Sequence, residues 1–396
     1  MHRNGAIDVL RGVSILLVLL HHFALPFRLP LGPSAIGELL GRRLVSLISY
    51  SGYAAVYAFF VISGFLIARR ALERYGSLRA VDWRGFYLQR ASRILPLLLA
   101  LMLVLSVLHW AGVPGFVIDR PGQSLGGAWF SALGLHLNWY EGRTGWLPGN
   151  WDVLWSLSIE ELFYLAFPIV CVLLPRPLLM VALAALVVSL PWTRGLLDGQ
   201  EIWQEKAYLP AMSAIALGVL CAQLAQVWRP SISFARSLVL LGAIGFIGAL
   251  LCGSELWRGL GHGSILFIAA SVGTLLLGCY WSQAAAPRGF NWLARMGQLS
   301  YELYLTHMFV VLGLVGAWRA TFGPEQTWNF LAYPIGVILC VLLAALVERS
   351  FSKPIERCLR GRFDAAGAQG QDLSDSRETV VASPGLVRAR TRARCT

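Results

Sequence analysis

Charge is scarce in this chain of 396 residues: Asp, Glu, Lys and Arg make up 14%, against 57% hydrophobic residues. Soluble domains carry about a quarter charged and about half apolar residues. A water-soluble globular protein is therefore excluded, and the mean hydropathy of +0.62 agrees. Cysteine is sparse as well. Cys171, Cys221, Cys252, Cys279 and Cys340 fall in apolar runs, and Cys358 and Cys395 lie near the C-terminus. No CxxC occurs, so neither a zinc site nor a disulfide framework is suggested, and no metal is expected. No A-x-A-like cleavage site follows residues 7–25, where Asp8 and Arg11 interrupt the run, so this segment reads as a retained span rather than a signal peptide. No internal repeat is visible, and no soluble catalytic domain flanks the apolar part. Any chemistry is expected within the membrane.

What is present is a series of apolar runs near the ~20 residues needed to cross a hydrocarbon core. They predict an all-α, polytopic integral membrane protein with about ten transmembrane helices. The runs lie at about 7–25, 48–68, 94–113, 154–174, 178–192, 207–226, 235–253, 263–282, 300–319 and 331–349. Residues 128–140 are too short a run to cross and are expected to re-enter or lie at the interface. Residues 1–355 read as one membrane domain. Residues 356–396, rich in Gly, Ala, Ser, Asp and Arg beyond about 361, read as a basic, disordered cytoplasmic tail.

The net charge of +12 does not point to nucleic acid. In a membrane protein such an excess records topology and contact with anionic lipid heads. The segment 69–93 holds Arg69, Arg70, Arg74, Arg79, Arg84, Arg90 and Arg93 against Glu73 and Asp82. The positive-inside rule then predicts a cell-membrane protein with both termini cytoplasmic, although Arg42 and Arg43 fall on the outer side.

Ionisable groups inside spans are costly and mark candidate sites. In RGVSILLVLLHH (11–22), the eleven steps from Arg11 to His22 make three helical turns plus about 20°, about 16 Å along one face. WSLSIEELFYLAFP (155–168) buries Glu160 and Glu161 in the fourth run, and Glu160 falls at a depth similar to that of His22. FFVISGFLIARR (59–70) offers Ser63 and Gly64 for close approach. FYLQRASRILP (86–96) sets Arg90 and Arg93 one turn apart, suited to phosphate oxygens. GQLSYELYLTHMFV (297–310) carries Tyr301, Tyr304 and His307 along one flank. For each, a bland alternative stands: lipid anchoring for the arginines, a satisfied helix contact for the histidines.

Together these stretches, with NWY at 138–140, resemble the membrane-bound acyltransferase-3 family, in family order from about residue 7 to about 350. The resemblance implies transfer of an acyl group, usually acetyl, from cytoplasmic acyl-CoA to a hydroxyl of a sugar-containing acceptor, in the branch without an esterase-like extension. It implies Arg11 and His22 as the essential pair and Glu160 as the family glutamate. Many members carry a histidine two places before the tryptophan of WSL, where this chain has Val153. On this basis Arg69, Arg90, Arg93, Ser63 and His307 are expected to hold the acyl-CoA and its arm. His22 is expected to act as general base or acyl carrier, oriented by Glu160. Trp129, Trp139, Tyr140, Trp146, Trp151 and Trp155 are candidate glycan contacts. The competing reading is a proton-coupled transporter using His22, Glu160 and Glu161 as a relay; the missing repeats and the lack of Gly/Pro-broken helix pairs count against it.

Overall fold

The computed structural model describes residues 4–361, and among these it contains helices and no strands. Among the described residues, nine helices are long and apolar enough to cross a membrane. They are α1 (Gly5–Ala24), α2 (Gly52–Tyr75), α3 (Trp83–Trp110), α4 (Gly149–Leu173), α5 (Glu201–Val227), α6 (Ile232–Leu251), α7 (Gly263–Trp281), α8 (Ser300–Phe322) and α9 (Asn329–Gly361). The protein is thus a polytopic all-α membrane protein.

The expected span at 178–192 is instead a short apolar helix, Arg176–Val188, followed by a turn of helix at Leu190–Gly195. Pro191 lies at the start of that second piece and cannot supply the N–H that a continuous helix would need. Residues 128–140 form parts of two short helices, Leu125–Leu133 and Leu137–Thr144. The third span begins earlier than expected. Asp82 caps its N-terminus by accepting from the backbone N–H groups of Arg84 and Gly85, so Arg90 and Arg93 lie in its opening turns rather than before it. The expected tail at 356–396 begins as ordered helix, because α9 runs to Gly361; the rest of it lies outside the described residues.

Apolar helices in lipid gain little from excluding water from one another, so close approach of small residues drives their packing. The α2–α5 crossing shows this. A Cβ added at Gly64 would stand 2.0 Å from the Ile215 carbonyl oxygen, and one at Gly218 would stand 2.0 Å from that of Val61. The same reciprocal contact joins α1 to the short helix Asn291–Gln298: Gly12 lies against Leu293 and Gly297 against Asp8. Gly218→Ala should therefore cost about 1–3 kcal/mol of overpacking. The check is a lowered thermal midpoint in detergent, with Gly248→Ala, where nothing lies within 4 Å, as a control that leaves the midpoint in place.

Around this core the outward faces are greasy. Leu240, Leu241, Ile244 and Ile247 of α6 are all more than half exposed, as a lipid-facing surface requires. Near its end α9 contains a π-helical turn, Glu348–Ser352. Glu348 is clamped there by Arg295 at 2.5 Å and Lys353 at 3.0 Å. The last two turns of α9 then reach the mouth of the larger cavity described below.

Candidate active site

Among the cavities enclosed by the described residues, two bear on the candidate site. The larger, about 560 Å³, is walled by α1, α2, α3, α4, α8 and the end of α9. Arginines dominate its polar lining: Arg11, Arg70, Arg74, Arg90, Arg93 and Arg360. Ser63, Ser156, Glu160, Glu161, Tyr164, Ser300, Tyr301, Tyr304 and Glu356 are among its other polar groups. Its volume lies within the usual range for small-molecule sites. The smaller, about 230 Å³, is lined by His21, His22, Tyr53, Asp152, Trp155, Arg194, Glu201, Gln204, Glu205 and Tyr304 among others. Val56 and Tyr304 line both cavities.

Helix α8 connects the two ends of the α1 motif. Arg11 donates to Ser300 Oγ at 2.6 Å. Three turns along α1, the His22 ring meets the His307 ring edge-on, with centroids 4.8 Å apart. Ser300, Tyr304 and His307 are spaced four and then three residues apart, which places them on one helical stripe. That stripe faces α1, with Tyr304 at mid-height.

The His22 ring is oriented by its own helix. Nδ1 lies 2.8 Å from the Val18 carbonyl oxygen, which can only accept, so Nδ1 carries the proton and Nε2 presents a lone pair. The carbonyl of His22 accepts from Arg28 Nη1 at 2.6 Å, which closes the end of α1. His307 is fully buried. It donates through Nδ1 to the carbonyls of Leu303 and Tyr304 at 3.1 and 2.8 Å.

The expected contact between Glu160 and His22 is not made. Glu160 lines the larger cavity, with Arg90, Glu161, Ser63 and Arg11 as its electrostatic neighbours. The ring-orienting acceptor on His22 is the Val18 carbonyl instead. Arg69 also departs from expectation: it pairs with Glu73 at 2.5 Å and lies over the Tyr280 ring at 4.6 Å. One residue of helix turns a side chain by about 100°, and Arg70 and Arg74 face the cavity in its place. His307 sits beside His22 rather than among the arginines. Arg90 and Arg93 do line the larger cavity, where Arg90 donates to Glu161 at 2.6 Å and lies over the Tyr164 ring at 3.9 Å.

Of the six aromatic residues read as glycan contacts, Trp155 lines the smaller cavity. Trp151 is fully buried. Trp129 donates to Ser106, Tyr140 accepts from the Ser124 N–H, and Trp139 packs on Trp203. Trp146 lies under Lys206, 4.2 Å from Nζ to the ring centroid. That lysine escaped sequence reasoning. It is fully buried, pairs with the buried Glu141 at 2.7 Å, and also holds Asp152, whose side chain is part of the smaller cavity's wall. Nothing in the local sequence around Glu141 or Lys206 marks the pair, because their 65-residue separation is closed only by the fold. Ser300 and Arg360 were also missed. The four-residue step from Ser300 to Tyr304 was a visible signal for the first; the second depends on the path of α9.

Among the described residues, no group of three or more His, Cys, Asp or Glu is arranged to hold a metal ion. The family model for an acyltransferase domain, that of acyltransferase-3, matches residues 4–349. The chain is 24% identical over 342 residues to O-acetyltransferase OatA of Staphylococcus aureus (strain NCTC 8325 / PS 47), covering 77% of this chain and 53% of that protein. It is 27% identical over 341 residues to the putative peptidoglycan O-acetyltransferase YrhL of Bacillus subtilis (strain 168), covering 77% of this chain and 50% of that one. The chain thus spans about half the length of these curated relatives. No solved structure matches it. With the matched region running from the start of α1 almost to the end of the apolar part of α9, the chain belongs to the acyltransferase-3 family of integral-membrane O-acyltransferases.

Proposed function

We propose that the protein transfers an acetyl group from acetyl-CoA to a hydroxyl of a sugar-containing acceptor, with the donor in the larger cavity and the acceptor in the smaller one. The observation that carries this reading is the division of labour between the cavities. One concentrates guanidinium groups, which bind phosphate oxygens through charge-assisted hydrogen bonds. The other holds an imidazole whose Nε2 is free to take a proton. Names of the relatives point the same way, and that of the Bacillus protein specifies peptidoglycan, a glycan.

In this reading Arg90, Arg93, Arg70 and Arg74 hold the phosphates of CoA at the basic end of the bundle. The pantetheine arm runs past Ser63 and Arg11 toward the wall shared with the smaller cavity. Glu160 and Glu161 serve the donor side: Glu161 neutralises Arg90 until phosphate replaces it. His22 Nε2 takes the proton of the acceptor hydroxyl as general base, its ring held by the Val18 carbonyl. The arginines of residues 69–93 favour, by the positive-inside rule, a cell-membrane protein with this end in the cytoplasm; in this reading the acceptor approaches from the other side.

A direct test is acetyl-CoA labelled in the acetyl group, added to purified protein in lipid with glycan fragments as acceptors. Covalent label on the glycan is the expected outcome. Movement of an unmodified solute across the membrane, without labelled product, would favour the transporter reading instead.

A further inference from the structure

We propose that Tyr304 is a catalytic residue that donates a hydrogen bond to the thioester carbonyl oxygen as the acyl group passes from donor to acceptor. This rests on the donor and acceptor reading given above. A thioester in the larger cavity and an acceptor beside His22 can meet only where the cavities adjoin, at Val56 and Tyr304. Val56 has nothing to donate, so the phenol is the hydrogen-bonding side chain of that wall.

Its hydroxyl is already set up to donate. Ser156 Oγ donates to Tyr304 Oη at 2.7 Å, and Oη donates to the Val153 carbonyl at 2.9 Å. Accepting one hydrogen bond strengthens the next one donated. The bond to Val153 is also easily given up. Within α4 that carbonyl has its helical partner four residues on, and the phenol occupies its second lone pair. Turning Oη toward a thioester oxygen therefore orphans no backbone group. The stripe on α8 sets the height: Ser300 below it engages Arg11, and His307 above it packs against His22.

The step balances without further reagents. His22 Nε2 takes the proton of the acceptor hydroxyl while the hydroxyl oxygen forms a C–O bond to the thioester carbon. The carbonyl oxygen becomes an oxyanion, held by the Tyr304 O–H. Collapse breaks the C–S bond, and the departing sulfur takes the proton from His22, leaving the ester and free CoA. If the acyl group instead passes first to His22 Nε2, the same oxygen carries the charge and meets the same donor.

The test compares wild type, Tyr304→Phe and Ser156→Ala in lipid. It measures kcat and KM for acetyl-CoA, together with binding of an unreactive thioether analogue. Tyr304→Phe keeps the ring in the wall and is expected to lower kcat about 100-fold or more, with KM and analogue binding unchanged. Ser156→Ala is expected to lower kcat less, again without affecting binding. A wild-type kcat in Tyr304→Phe overturns the assignment, as does a loss of kcat matched by an equal loss of analogue binding. Should the phenylalanine variant fail to fold, Ser156→Ala decides: a lowered kcat with intact binding supports the role, and an unchanged kcat overturns it. If wild type transfers nothing from acetyl-CoA, the donor reading fails and takes this proposal with it.

Discussion

Alanine in place of His22 is expected to lower acyl transfer by about two to four orders of magnitude, the usual contribution of a positioned general base, while leaving the protein folded and able to bind donor. Folding should survive because the ring contributes little to the architecture. Its hydrogen bond goes to the Val18 carbonyl of its own helix, four residues back, and that carbonyl keeps its backbone partner when the imidazole is removed. Its remaining ring contacts are edge-on, to His21 and His307. Donor binding should survive because His22 lines the smaller cavity and the arginines line the larger one. The measurement is label transfer set beside equilibrium binding of an unreactive acyl-CoA thioether. Transfer at the wild-type rate would remove His22 from the chemistry. Equal loss of both signals would make it a structural residue.

The largest effect on stability is expected at Lys206, which does not line the larger cavity. Its ammonium is fully buried with Glu141 and also holds the part-exposed Asp152, above the face of Trp146. The first of these acids is pinned a second time, by the Leu147 N–H at 2.9 Å, and Asn138 donates to the lysine's own carbonyl at 2.9 Å. These bonds tie the short helix Leu137–Thr144 and the loop after it to the start of α5. Removing one partner of a buried ion pair leaves an uncompensated charge and costs about 3–5 kcal/mol. Lys206→Met should therefore lower the thermal midpoint sharply and reduce the yield of monodisperse protein. Adding Glu141→Leu to that variant should restore part of the loss, because an apolar pair carries no desolvation cost. A midpoint unchanged in Lys206→Met would show that this cluster does not hold the loop.

The apolar runs made the membrane architecture legible, because hydrophobic length is a direct requirement of the bilayer. They fail where length and backbone chemistry disagree. Residues 178–192 are apolar enough to resemble a span, yet Pro191 divides them. The relation between Arg11 and His22 is local, so helical periodicity alone could place both on one face, and both meet α8. Contacts between helices are another matter. Periodicity cannot say that Glu160 faces Arg90 and Ser63 rather than His22, nor that Arg70 rather than Arg69 faces the cavity, because each depends on how a helix is rotated against its neighbours. The buried Lys206 cluster was invisible for the same reason, and so was the shared wall at Tyr304.

The central claim is that acyl groups pass through the protein from an arginine-lined donor site to an acceptor held beside His22. Proteoliposomes with the protein in one orientation test it most directly, with membrane-impermeant acetyl-CoA supplied to a single side and the glycan acceptor to the other. Labelled acceptor should form only when acetyl-CoA is on the side of residues 69–93. Equal labelling with the donor on either side, or acetyl-CoA recovered intact across the membrane without any product, would contradict it.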